Sequence, residues 1–288
     1  MLGSPVLGVL FGIANSQLEL DIQEKFVSII NTSFLLQIIL FLISTYALAG
    51  HIYAYNGWAG MHADKKDKSK TEFPLIANQI KRKEMQYLSI ILLSISLIGY
   101  TFLDIKLVGI ALINAFLWFL YCDNRILWKS KPILGSLVHL ITGVLNFLLG
   151  YSLFSSLDLQ GVVFGLFFAI IFVAGHLNHE IRDYNADLAN GYKTTAISFG
   201  KQFVFCISII LFTYSHLHLF LIHKYYHLDI VFIYPLCIIY PLYIIFAYLT
   251  WKGGLDFEQM DKFRTRYRIL FAIYGLYQMV YLIFKIFP

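Results

Sequence analysis

The chain has 288 residues, of which 59% are hydrophobic and only 14% charged, and its mean hydropathy is +0.69. A soluble domain carries roughly 25% charged residues, so a soluble globular fold is excluded and a polytopic all-α membrane protein is expected. The net charge of +5 does not imply nucleic acid, because the basic residues sit in short stretches between apolar runs.

Nine apolar segments follow one another, at 1–15, 28–54, 86–104, 105–122, 133–154, 160–178, 202–222, 229–250 and 267–287. Each except the first approaches the length that spans a bilayer as a helix. The first, "MLGSPVLGVLFGIA", is short and lacks a basic leading region, so a cleaved signal peptide is not expected. The third and fourth are divided only by "LDIK", which implies a tight helical hairpin. No long linker, low-complexity tract or internal repeat interrupts the series, and residues 1–288 read as one transmembrane domain. Cys122, Cys206 and Cys237 have neither metal nor redox spacing and read as packing residues.

The 22 Lys and Arg residues alternate with the segments. Lys65, Lys66, Lys68, Lys70, Lys81, Arg82 and Lys83 follow the second. Arg125, Lys129 and Lys131 follow the fourth, and Arg182, Lys193 and Lys201 the sixth. Lys252, Lys262, Arg264, Arg266 and Arg268 follow the eighth. Only Lys25, Lys106, Lys224 and Lys285 fall on the opposite side. The positive-inside rule makes the basic side cytoplasmic, with the N-terminus inside and the C-terminus outside. Four basic loops on one face also suit a polyanionic ligand.

The sixth segment ends in "HLNHEIRDYNADLANGYKTT". Glu180, Asp183 and Asp187 stand at i, i+3 and i+7, which on an unbroken helix gives one acidic face. Converging carboxylates at a membrane interface repel one another and are costly to desolvate. A divalent cation relieves both, and Mg²⁺ is commonly shared between one or two carboxylates and a phosphate. Gly191 allows a turn, after which Lys193 and Thr194 supply a cation and a hydroxyl. The chemistry suggested is Mg²⁺-mediated binding of a diphosphate at the cytoplasmic end of the bundle. The same spacing also fits a solvated helix end whose acids pair with Arg182 and nearby lysines.

This stretch resembles the second motif of the UbiA-type intramembrane prenyltransferases, D-x-x-D-x-x-x-D followed by G-x-x-T and a later glycine. The matching positions are Glu180, Asp183, Asp187, Gly191, Thr194 and Gly200, with Glu in place of the first Asp. The family's first motif, N-D-x-x-D-x-x-x-D, aligns with "NGWAGMHAD". Asn56 and Asp64 match, while Gly57 and Gly60 stand where acids are expected, with His62 and Asp67 nearby. "FPLIANQIKRKE" resembles a third element through Pro74, Leu75 and Ile80. "YCDNRILWK" resembles a Tyr–x₇–Lys stretch through Tyr121 and Lys129, with Arg125 where some members are basic.

The resemblance implies nine helices around a central cavity open to the bilayer, with acidic motifs on opposite sides near the cytoplasmic face. It further implies that Mg²⁺ bridges Glu180, Asp183, Asp187 and Asp64 to a prenyl diphosphate. Asn56, Tyr121, Arg125, Lys129, Arg182, Lys193 and Thr194 would then contact the substrate. The diphosphate leaves and the allylic cation alkylates an acceptor, often an aromatic ring. The departing charge needs cations, and the allylic cation needs a dry, aromatic-lined space.

Two other chemistries keep the fold: cyclisation of a prenyl diphosphate, and a non-catalytic membrane scaffold supported by Gly57 and Gly60. A histidine-box oxidase is disfavoured, because His176 and His179 lie a membrane thickness from His218, His223 and His227.

Overall fold

The computed structural model describes residues 3–17, 32–65, 77 and 79–286, without the side chains of His62 and Ala63. All of its regular elements are helical. In chain order they are α1 (Gly3–Gln17), α2 (Thr32–Asp64), α3 (Arg82–Leu103), α4 (Ile105–Cys122), α5 (Leu134–Phe154), α6 (Leu159–Arg182), α7 (Tyr184–Ala189), α8 (Thr195–Phe199), α9 (Lys201–Tyr226), α10 (Leu236–Lys252) and α11 (Phe257–Ile286). Short 3-10 turns lie at Trp128–Ser130 and Ile230–Phe232.

Among the described residues, eight helices are long and apolar enough to cross a membrane, and α1 is a shorter apolar helix. They are the eight longer of the nine expected segments, so this is an integral, multi-pass membrane protein.

Two boundaries differ from the apolar runs. The second run was expected to end near 54, yet α2 continues to Asp64. Nothing in "YNGWAGMHAD" breaks a helix, since Gly alone weakens one without ending it. The last run was expected from 267, but α11 starts at Phe257. Its first turns are amphipathic and therefore not hydrophobic on average, although Met260, Phe263 and Tyr267 form a buried stripe at helical spacing. The predicted hairpin is present, with Asp104 alone between α3 and α4. Its carboxylate caps α4 by accepting from the Lys106 N–H at 2.8 Å. That backbone hydrogen bond holds the Asp104 carboxyl below the usual carboxylate range.

The chain divides into two compact units. The first comprises residues 1–128, 145–157 and 283–288. Its helices are joined by polar contacts between otherwise apolar surfaces. Thr45 and Tyr100 hydroxyls meet at 2.9 Å, His51 Nδ1 meets the Ser89 hydroxyl at 2.9 Å, and Asn114 donates to Asn146 at 2.8 Å. Within a bilayer such contacts supply adhesion that lipid-like side chains cannot.

Glycines bring α1 against the part of α5 from residue 145 to its end at Phe154. A Cβ on Gly8 or Gly12 would collide with the backbone of Phe147 or Tyr151, and one on Gly150 with that of Pro5. Asn15 then donates to the Tyr151 hydroxyl at 2.9 Å and the Ser155 hydroxyl at 3.1 Å. Overpacking costs about 1–3 kcal/mol in ordinary cores, and a backbone collision leaves little room to relax. Gly150→Leu is therefore expected to lower the Tm of detergent-solubilised protein by roughly 5 °C or more. Gly109→Leu is the control, because a Cβ there meets nothing within 4 Å, and its melting curve should overlie the native one.

The second unit comprises residues 129–144 and 158–282. Its core joins Ala174, Leu177 and Ile181 of α6 to Val204, Phe205 and Phe212 of α9, Tyr243 and Ala247 of α10, and the Met260–Phe263–Tyr267 stripe of α11. The Phe212 ring sits at the centre, 4.5 Å from Tyr243, 5.5 Å from Tyr267 and 5.3 Å from Phe271. Ile181, fully buried here, lies between Glu180 and Arg182. Packing thus fixes the rotation of the end of α6 that carries the acidic residues. The α9 histidines have backbone partners: His216 with Phe212 O, His218 with Val163 O, and His223 with Leu228 O. One nitrogen of each ring is thus held by a carbonyl, while His216 Nε2 is buried without a partner among the described residues.

Candidate functional site

The second unit carries the acidic motif. α6 ends at Arg182, and Asp183 leaves helical geometry at φ −87°, ψ 7°. The backbone resumes in α7, with the Asp187 N–H bonded to Asp183 O at 2.9 Å. Gly191, at φ +71°, then reverses the chain, a left-handed conformation that costs glycine little. The N–H groups of Gly191 and Tyr192 close the turn on Leu188 O and Asp187 O, both at 3.0 Å. The Lys193 N–H donates to Ser130 O at 3.0 Å, and the Thr194 side chain caps α8 by accepting from Ile197 N–H. This ties the Gly191 turn to Ser130.

The three acids do not form the single face an unbroken helix would give. Among the described residues no three His, Cys, Asp or Glu side chains are grouped to hold a metal ion. The interruption at Asp183 is one reason, and the direction of Glu180 is the other. Glu180 is only 4% exposed. Its Oε2 accepts from the Ala196 N–H at 2.9 Å, and its Oε1 accepts from the Thr195 hydroxyl at 3.3 Å. The same Oε1 lies 3.0 Å from His176 Nε2. Thr195 also accepts from the Ile133 N–H at 3.2 Å.

Asp183 and Asp187 are half-buried, one helical turn apart. Arg182 grips Asp183 through two bonds, Nε to Oδ1 at 2.6 Å and Nη2 to Oδ2 at 3.1 Å. The pairing of acid with Arg182 anticipated for a solvated helix end is thus present at Asp183. It extends into a network, because Asp261 Oδ1 lies 3.5 Å from Arg182 Nη1 and 2.5 Å from Arg264 Nη2. Arg268 Nη2 meets His179 Nε2 at 3.1 Å, and the Arg182 guanidinium lies 5.7 Å from the Phe257 ring centre. Lys193 is exposed, and Thr194 is buried as a helix cap. Lys129 Nζ lies 5.8 Å from the Tyr192 ring centre, which places it beside the same turn.

Nothing in the sequence marks Asp261 or Ser130. Arg264 and Arg268 stand in the sequence as topology signals, and the pattern that reveals their further role is the 261/264/268 spacing at an amphipathic helix start.

The first unit holds the other candidates. Asn56 is exposed on α2 and accepts from the Cys122 thiol at 3.2 Å. Asp64, half-buried, is the last residue of α2. Tyr55 donates to Asp123 at 3.4 Å, Asn124 to Ala59 O at 3.0 Å, and the Arg125 N–H to Asp123 at 2.9 Å. These bonds join the Asn56 region to the end of α4. Tyr121 packs against Trp118 edge-on at 5.1 Å, and the Arg125 side chain is exposed. Asp67, Pro74 and Leu75 lie outside the described residues.

These features define a multi-pass helical membrane protein with carboxylates and cations gathered at the end of a spanning helix. Residues 27–279 match the UbiA prenyltransferase family, and the chain belongs to that family. No curated protein sequence matches it. Its fold is similar to a structure described as that of digeranylgeranylglyceryl phosphate synthase in membranes, at 20% identity and TM-score 0.68, over 98% of this chain and 94% of that one. A UbiA homologue from Archaeoglobus fulgidus bound to GPP and Mg²⁺ aligns at 17% identity and TM-score 0.64, over 98% of both chains. One from Aeropyrum pernix K1 aligns at 13% identity and TM-score 0.71, over 97% of this chain and 99% of that one.

Proposed function

We propose that this protein transfers an isoprenyl group from a prenyl diphosphate to an acceptor within the membrane, in an Mg²⁺-dependent reaction at the cytoplasmic side. The observation that carries the reading is the end of α6 and the turn after it. There Asp183, Asp187, Arg182 and Lys193 stand on a segment fixed by a buried core, with Lys129 beside its turn. The A. fulgidus homologue bound to GPP and Mg²⁺ supports it as a likeness.

The donors fit the metal. Asp183 and Asp187 offer hard carboxylate oxygens one helical turn apart, and Mg²⁺ typically takes one or two carboxylates, with phosphate oxygens and water as its other ligands. Bound Mg²⁺ would offset the charge that develops on the departing diphosphate. Asp64 and Asn56 join this proposal through their motif positions, as do Tyr121 and Arg125. Arg182, Lys129 and Lys193 bind the diphosphate, with Arg182 exchanging one carboxylate contact for a phosphate oxygen. In the reaction the allylic C–O bond breaks, and its electron pair leaves on the diphosphate. The acceptor supplies the pair for the new bond and then loses a proton. Thr194 holds the turn in shape as the α8 cap.

The test is purified protein with Mg²⁺, a panel of radiolabelled prenyl diphosphates and a panel of lipid and aromatic acceptors. Acceptor-dependent prenylated product is expected, abolished by EDTA and restored by excess Mg²⁺. Product formed equally well without acceptor would replace transfer with cyclisation. No consumption of any prenyl diphosphate would remove the enzymatic reading. Single-cysteine variants at Lys131 and Lys193 should label from the cytoplasmic side only, and labelling from outside would invert the orientation.

A further inference from the structure

The structure assigns Glu180 a positioning role, as the anchor that fastens α8 to α6 and so sets the loop bearing Asp183, Asp187 and Lys193. It is not a ligand of the metal. This rests on the prenyl-diphosphate reading of the same segment.

The sequence places Glu180 in the acidic motif, where its carboxylate would be grouped with its neighbours. The geometry gives both its oxygens other work. Oε2 accepts the backbone N–H of Ala196, sixteen positions further on, at 2.9 Å. Oε1 accepts the Thr195 hydroxyl at 3.3 Å and lies 3.0 Å from His176 Nε2. The side chain is 4% exposed. A buried carboxylate must be paired with donors or cations, and the Ala196 N–H and the Thr195 hydroxyl supply two donors here.

The supporting shell is continuous on both sides. The His176 ring stacks on His139 at 3.8 Å with 14° between planes. The His139 Nδ1–H in turn donates to Gly135 O at 2.8 Å. Thr195 receives the Ile133 N–H at 3.2 Å, and the Lys193 N–H reaches Ser130 O at 3.0 Å. The Glu180 carboxylate therefore gathers α6, the start of α8 and, through Thr195, the 130–133 stretch. The segment from Asp183 to Thr194 is a loop whose two ends this side chain joins.

This role explains the residue type. Glu exceeds Asp by one methylene, and that extra reach carries the carboxylate to the Ala196 N–H. Asp at the same backbone position falls short of it. A metal ligand depends on negative charge, which Asp keeps and Gln removes.

Two substitutions separate the roles because their expected effects are reversed. Glu180→Gln keeps the length. Its carbonyl oxygen can accept from Ala196, and its amide can meet the Thr195 hydroxyl. It should keep turnover within about threefold of native and leave the Mg²⁺ concentration for half-maximal rate unchanged. Glu180→Asp keeps the charge and loses the reach. It should raise KM for the prenyl diphosphate about tenfold or more, with the Mg²⁺ requirement again unchanged. Amide exchange in peptides spanning 193–199 should be native-like in the Gln variant and at least about tenfold faster in the Asp variant.

A Gln variant that is inactive or needs several-fold more Mg²⁺, beside an active Asp variant, would overturn the assignment and make Glu180 a ligand. Native exchange at 193–199 in the Asp variant would overturn the anchor. If native protein transfers no prenyl group to any acceptor, the exchange measurement still decides. So does Mn²⁺ affinity read by EPR with inorganic pyrophosphate, which the anchor leaves unchanged in Glu180→Gln and a ligand role weakens. Should the Asp variant fail to fold, the Gln variant's Mg²⁺ titration alone supports or overturns the anchor.

Discussion

Asp187→Asn is expected to lower turnover at least about 100-fold with the fold unchanged, a loss of about 2.7 kcal/mol in transition-state stabilisation. Asn keeps the size and one carbonyl oxygen but removes the charge that a hard cation requires. Asp187 is half-buried in the first turn of α7, and its backbone closes the Gly191 turn through its carbonyl. The substitution leaves that backbone bond in place, so the far-UV circular dichroism should match native protein. Asp183→Asn is expected to lose a comparable factor, with a second signature. Arg182 grips both Asp183 oxygens, and the amide can accept at only one. Arg182 then leans toward Asp261, and KM for the prenyl diphosphate should change as well as kcat. Native turnover in both variants, measured as pyrophosphate release, would remove this segment from the reaction.

The spans were legible in the sequence because an apolar run near twenty residues has few alternatives to a membrane helix. The one-residue hairpin at Asp104 was legible for a related reason, since two runs abut there with no room for a loop. The start of α11 was not. Its residues 257–268 are amphipathic, so mean hydropathy hides them, while the buried Met260–Phe263–Tyr267 stripe reveals them. With that helix came Asp261, Arg264 and Arg268, which a charge count assigned to loops. The acidic motif was legible as a pattern, but the use of its members was not. Spacing places Glu180 with Asp183 and Asp187, whereas a backbone departure at Asp183 and a donor sixteen positions later decide where its carboxylate goes. Such partners are set by tertiary packing, which a local window does not contain.

The expected effect of Asp64→Ala lies in metal requirement more than in maximal rate. The motif around Asn56 supplies one carboxylate, since Gly57 and Gly60 occupy positions where the resemblance expects two others. Both glycines lie inside α2, which runs unbroken to Asp64. Asp64 and Asn56 are thus carried on a helix, eight residues apart, and not on a solvated loop. A wall with a single carboxylate holds Mg²⁺ weakly, because diphosphate and water must then meet most of the cation's charge. Any metal there should arrive together with the diphosphate, while Asp183 and Asp187 carry the main affinity. Asp64→Ala should accordingly raise the Mg²⁺ concentration for half-maximal rate about five- to tenfold, with most of the maximal rate recovered at saturation. Asp67→Ala should shift it less. The contrast with Asp187→Asn is the informative part, because excess Mg²⁺ should not rescue that variant. Titration of Mg²⁺ against turnover in the three proteins checks both statements. An Asp64→Ala curve that overlies the native one would confine the metal chemistry to the segment after α6 and leave α2 without a part in it.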